Sequence, residues 1–177
     1  MDPLRGALAG LIGGLAGAYV MERFQSWWQA AETQAAPERR AHARDDGASR
    51  ERTASNGRAG EPSTVRVAER ISEEVFDTPL PEAMKPKAGQ LVHYATGAGI
   101  GALYGLVGEI VPPVRMANGM PFGAVVWWVA DNMAVPAERP GTPPERTAPS
   151  THVYALASHL VYGFTTETVR FLVRFVL

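Results

Sequence analysis

The sequence predicts an all-α fold: a polytopic membrane helix bundle of four transmembrane helices packed through glycine, with a short amphipathic helix in its long loop. Three observations predict it. Four stretches of the 177-residue chain are nearly free of charge, and polar or proline-rich segments separate them. That mosaic is expected of a small membrane protein. None of the four alternates polar and apolar residues as a half-buried strand would. In two of them glycine recurs every four residues, the spacing at which helix backbones approach closely in lipid. Mean hydropathy is near neutral, at −0.09, because these stretches are averaged with a long polar loop.

The first stretch, residues 4–21, reads "LRGALAGLIGGLAGAYVM" and carries one charge, Arg5. Gly6, Gly10 and Gly14 form one row; Gly13 and Gly17 form a second pair. In water each such glycine costs a helix roughly 1 kcal/mol relative to alanine, whereas in lipid it opens a packing face. A cleaved secretory signal is the competing reading. It is disfavoured because Asp2 offsets Arg5 and five glycines interrupt the apolar core. The helix is expected to continue as "ERFQSWWQA" to residue 29, with Trp27 and Trp28 at headgroup level.

Residues 30–62 hold almost no large apolar side chain and are expected to form a disordered polar linker. Residues 63–89 comprise a short amphipathic helix and a lead-in. Val67, Ile71 and Val75 fall four apart with Phe76 beside them, Ser63 or Thr64 can cap the start, and Pro79 stops the helix. This helix should lie on the membrane surface or on the bundle. The region 90–177 should hold three further spans, at about 90–111, 120–135 and 152–172. "VPPVRMANG" between the first two reads as a tight turn, and 136–150 as a proline-rich extended loop. Arg170 and Arg174 can snorkel to the far interface.

Gly97-Ala98-Gly99-Ile100-Gly101-Ala102 fits the dinucleotide fingerprint G-x-G-x-x-A. That motif needs a buried strand before it and a crossover unit around it. The preceding "KPKAGQLVHYAT" is no such strand, and the glycines continue to Gly105 and Gly108 at helix spacing. The helix-packing reading therefore prevails. Gly97, Gly101 and Gly105 match Gly6, Gly10 and Gly14, so the first two helices should pack glycine row against glycine row. A homodimer could use the same rows.

Ionisable groups inside spans are costly and need a reason. If the four helices alternate in direction, His93, Asp131 and His159 come to similar depth near the side of the long loop. This first cluster could relay protons, bind a small metal, or simply bond across helices and fix their register. Glu109, Glu167 and Arg170 form a second cluster near the side of both termini, with Arg115 close by. Tyr94, Tyr104, Trp127 and Trp128 read as packing residues or interface anchors. The chain has no cysteine, so disulfides, thiolate metal sites and cysteine nucleophiles are excluded. A net charge of −1 gives no reason to expect a nucleic-acid partner. No G-x-S-x-G, Walker or HExxH motif occurs, and no enzyme activity, cofactor or metal is expected.

Three segments carry a family likeness: "HYATGAGIGALYGLVGE", "VPPVRMANGMPFG" and "SHLVYGFTTETVR". Through them the chain resembles the YagU family, small bacterial inner-membrane proteins of unknown molecular function. The likeness covers about residues 88–174 and the glycine-rich first helix. It implies a multi-span inner-membrane protein with a role in acid tolerance, and it singles out His93, Tyr104, Gly105, His159 and Arg170. The expected function is thus membrane or acid/pH homeostasis, with the lipid bilayer as partner. The alternatives are an assembly partner of another membrane protein or a small ion- or proton-conducting oligomer. Arginine placement in the short loops leans towards both termini being cytoplasmic.

Overall fold

The computed structural model describes residues 2–45, 63–130 and 149–177, with residues 35–45 and 149 as backbone alone. Among the described residues there is no strand. Helix α1 runs over Pro3–Asp45, α2 over Ser63–Phe76, α3 over Lys85–Ile110, α4 over Met120–Val129 and α5 over Pro149–Val176. Short 3-10 stretches, Glu82–Met84 and Pro112–Gly119, precede α3 and α4.

At 1.5 Å per residue, the 43 residues of α1 span about 64 Å. The linker expected from residue 30 is therefore helical as far as Asp45, while 46–62 lie outside the described residues. Alanine, glutamine, glutamate and arginine propagate a helix that is already nucleated.

Helix α2 packs on the first turns of α3. Gly89 leaves room for Val65, whose Cγ2 lies 2.5 Å from where a Cβ would stand. Lys85 Nζ bridges Glu69 at 2.7 Å and Glu82 at 2.6 Å. The face that buries is Val65 and Ala68, while Ile71, Val75 and Phe76 of the expected stripe stay exposed. Asp77, at φ 49°, and the prolines after it turn the chain back into α3. Only the first half of α2 thereby lies beside a neighbour. Helix α3 starts at Lys85, five residues before the expected start.

The third leg departs most from expectation. Pro112–Gly119 is no tight turn. Two prolines open it, Met116 is extended, and Ala117, Asn118 and Gly119 follow at φ 48°, 54° and 77°. Glu109 bonds Arg174, whereas Gly119 packs against Gly163. Between those two contacts the chain climbs about 16 Å back along α5, eleven residues at 1.5 Å each. Helix α4 then adds ten residues, about 15 Å. Residues 131–135 of the expected third span lie outside the described residues, as does most of the proline-rich loop. Helix α5 is longer than the expected 152–172 at both ends.

Helix α1 lies antiparallel to both α3 and α5. A Cβ at Gly6, Gly10, Gly14, Gly97, Gly101 or Gly105 would come within 3.0 Å of the facing helix, in most cases of its backbone. The two glycine rows therefore meet within one chain. Gly13 and Gly17 admit α5 at Thr166, Arg170 and Tyr162 in the same way. Gly123 and Gly163 bring α4 against α5.

The distribution of side chains is inverted relative to a water-soluble core. The buried apolar residues are Ala9, Ala18, Met21, Val65, Ala68, Tyr104 and Tyr162, joined by Ser158, Thr166, Glu167 and Arg170. Leu4, Leu8, Leu11, Ile12, Leu15, Leu103, Leu106, Phe164, Phe171 and Leu172 face outward. One helical segment, Pro3–Gln34, is long and apolar enough to cross a membrane. Helices α3 and α5 have the length, but their glycine, tyrosine, histidine and charged residues lower their hydropathy. Four apolar spans were expected, and by length and composition the described residues supply one.

Replacing Gly10 by leucine should force α1 from α3 and cost upwards of 1–3 kcal/mol, the usual range for overpacking. Gly99, which has nothing within 4 Å of its would-be Cβ, should accept alanine without loss. Thermal unfolding of the two purified variants against the parent checks the contrast.

Candidate functional site: a buried charge cluster

Glu167 and Arg170 lie three apart on α5, a spacing at which helical side chains meet. Arg170 Nε donates to Glu167 Oε2 at 2.6 Å and Nη2 to Oε1 at 2.7 Å. This bidentate fork is the strongest arginine–carboxylate geometry. Arg170 is wholly buried, and it fits because Gly13 of α1 presents no side chain to it. Glu109, in the last turn of α3, sits over the notch at Gly6. Arg174 donates to it through Nε at 2.9 Å and Nη2 at 3.4 Å. Arg170 Nη1 lies 3.8 Å from Glu109 Oε1, too far for a hydrogen bond. Glu109, Glu167 and Arg170 of the expected second cluster are thus in contact.

The cluster reaches outward to the chain end. The Asp2 backbone N–H donates to Glu109 Oε2 at 3.4 Å. Arg5 pairs with Asp2 at 3.0 Å and donates to the Leu177 carbonyl at 2.7 Å. Inward it reaches Tyr104, which stacks on Phe122 of α4 with centroids 4.1 Å apart. The Tyr104 hydroxyl faces Glu167, with Arg170 and Arg115 also near. The Arg115 stem crosses Gly108, one turn along α3. The break before α4 rests on the same turn of α5: Asn118 Nδ2 donates to Thr168 Oγ1 at 2.9 Å, and Gly119 abuts Glu167. Arg170 and Arg174 were expected to reach an interface. Arg170 does not, because two carboxylates inside the bundle hold it.

The first expected cluster divides differently. His93 Nε2 meets the Ala18 carbonyl of α1 at 3.2 Å. His159 Nδ1 meets the Ala155 carbonyl of its own helix at 2.8 Å. Asp131 lies outside the described residues. The polar joint at this end centres on Glu22, outside both expected clusters. Tyr94 Oη donates to it at 2.5 Å and Gln90 Nε2 at 3.1 Å. Gln29 Nε2 donates to Tyr154 Oη at 3.3 Å, beside a tilted Trp28–Tyr154 ring pair. Midway, Tyr162 Oη donates to the Gly97 carbonyl at 2.7 Å. A sequence signal for Glu22 existed: it is a carboxylate one turn past Ala18 on the face that continues the glycine row.

Chemically the arrangement holds charges rather than exposing them. Ser158 Oγ is engaged with the Tyr154 carbonyl at 2.8 Å. Among the described residues no three histidine or acidic side chains gather as a metal site would require. Arg170 Nη1, buried in this region, has no hydrogen-bond partner.

Residues 66–168 match a family model described as a protein of unknown function, DUF1440. The matched region begins in α2 and ends one turn into the cluster at Thr168. No curated protein and no solved structure matches the chain.

Removing one partner of a buried ion pair strands the other charge, a loss of about 3–5 kcal/mol. Glu167→Gln should therefore lower the unfolding temperature sharply. The paired change Glu167→Leu with Arg170→Met should recover most of it, because neither charge then remains. Thermal melts of the three proteins decide whether pairing or shape matters here.

Proposed function

Since the chain belongs to this DUF1440 family of proteins of unknown function, we propose from its own physics that it is an integral membrane protein crossing the bilayer four times. In this reading α1, α3, the broken third leg and α5 are the crossings, the lipid bilayer is the partner, and the chain serves membrane or acid/pH homeostasis without being an enzyme. One observation carries the proposal: leucine and phenylalanine point outward while arginine, glutamate, serine and threonine are sealed within. In water that inversion would expose far more contiguous apolar surface than a soluble monomer tolerates. In lipid it is the expected arrangement, because lipid tails solvate leucine and the small residues drive association.

The broken third leg fits the same reading. Irregular backbone at bilayer depth is tolerated where protein covers it, and here Gly163, Glu167 and Thr168 of α5 lie against it. The homeostasis role draws on the YagU likeness and on ionisable groups at both ends of the bundle. A bacterial inner-membrane location follows from that likeness alone.

Two measurements test these claims. Expressed full-length protein should stay in the membrane pellet after alkaline carbonate extraction; release into the supernatant refutes the membrane assignment. Replacing His93 and His159 by glutamine should abolish an acid-survival phenotype. Glutamine still offers an N–H to the carbonyls that the imidazoles contact, so a fold defect is not expected. Unchanged survival refutes proton sensing by these two groups.

A further inference from the structure

The break before α4 turns on two residues that are chemically labile when adjacent. Asn118 stands in the left-handed region at φ 54° and ψ 42°, and Gly119 follows at φ 77°. Each is there for shape. Asparagine enters this region more readily than most side chains, because its short amide can bond locally. Glycine is required next, since a Cβ at 119 would run into the Gly163 carbonyl oxygen and Glu167 Cβ. Packing thereby sets an exposed carboxamide beside a backbone nitrogen that no following side chain shields.

In such a pair the Gly119 nitrogen can attack Asn118 Cγ. An N–Cγ bond forms, the Cγ–Nδ2 bond breaks, and the Gly119 N–H proton leaves with the amide nitrogen as ammonia. The product is a succinimide ring. Water then opens it: cleavage at Cγ gives aspartate, and cleavage at the main-chain carbonyl gives isoaspartate.

The fold opposes the first step. About the Cα–C bond of an L residue, Cβ stands a third of a turn from the backbone nitrogen. At ψ 42° the Gly119 nitrogen is therefore nearly anti to the Asn118 Cβ. Ring closure needs the two syn, so the peptide plane between 118 and 119 must swing through nearly half a revolution. Three contacts resist that swing. Asn118 Nδ2 donates to Thr168 Oγ1 at 2.9 Å, and this hydroxyl is itself fixed by donating to the Phe164 carbonyl at 2.8 Å. The Met120 N–H closes on the Ala117 carbonyl, and Gly119 abuts Gly163.

We propose that Asn118–Gly119 is a latent deamidation site, held shut by the docking of the third leg on α5, with Thr168 as the positioning residue. Any opening that frees the leg exposes the pair to conversion. Conversion removes the Nδ2 donor to Thr168 and sets a new carboxylate against the turn of α5 that carries Glu167. The geometry is the same whether lipid or water surrounds the bundle, so this inference stands apart from the membrane reading.

The test incubates the purified full-length chain in detergent, warm and at mildly alkaline pH, and then digests it. Peptide mass spectrometry follows ammonia loss, aspartate and isoaspartate at position 118. The same chain digested before incubation gives the rate of the open pair. The folded chain should convert roughly tenfold or more slowly, as a segment closed by local structure does. Thr168→Val keeps the shape and removes the acceptor; losing one ordinary hydrogen bond should speed conversion about fivefold. Its unfolding midpoint is measured alongside. Acceleration with an unchanged midpoint supports the proposal. Conversion of the folded parent at the open rate overturns the closed geometry. A Thr168→Val rate equal to the parent's, or raised only as far as lost global stability accounts for, overturns the part given to Thr168.

Discussion

Everything else in this bundle depends on how closely α1 approaches its two neighbours. Along α3 the approach brings backbone to backbone: Gly10 meets the Gly101 carbonyl and Gly14 meets the Gly97 carbonyl. Such contact leaves no room for side-chain interdigitation, so the attraction comes from many weak contacts at short range. On its other side α1 offers Gly13 and Gly17 to α5. One helix with two glycine faces thus sets the spacing of the other two. That spacing determines that Tyr162 reaches the Gly97 carbonyl and that Arg174 reaches Glu109.

The charge cluster is a consequence of this closeness. A guanidinium needs volume, and it finds it on α5 opposite Gly13, where α1 has no side chain. Once there, Arg170 is cut off from water and must be compensated within the bundle. Glu167 does so from the same helix and Glu109 approaches from α3. A buried pair of this kind contributes little net stability, because desolvation consumes most of the Coulombic gain. Its effect is to make one arrangement of α3, α5 and the third leg much better than its neighbours. Slipping α5 by one turn would leave Arg170 without its second carboxylate and Gly119 without the gap at Gly163.

Which features could be read from sequence follows from what each depends on. The helices were legible because apolar runs and glycine spacing are local signals. The meeting of the rows Gly6/Gly10/Gly14 and Gly97/Gly101/Gly105 was legible because both repeat at the same interval. Glu109, Glu167 and Arg170 could be grouped by depth alone. The break at Met116–Gly119 was not legible, since "VPPVRMANG" has turn composition and nothing in it says that the chain re-enters the bundle. That outcome is set by Gly119 and Gly163 meeting across forty-four residues of sequence. The continuation of α1 to Asp45 was missed for the opposite reason. Absence of apolar residues reads as absence of order, although helix propagation needs no hydrophobic partner.

The third leg shows why glycine placement and charge placement cannot be separated here. Prolines 112 and 113 end the regular ladder of α3, and three successive left-handed residues re-aim the chain into α4. Ala117 occupies that region at a cost of order 1–2 kcal/mol, whereas asparagine enters it more readily. Asn118 is held through Thr168, and Gly119 is fixed by contact with Gly163 and Glu167. The turn of α5 that holds the break also holds Arg170. A change that alters Glu167 therefore acts on the charge cluster and on the geometry of the third leg at once.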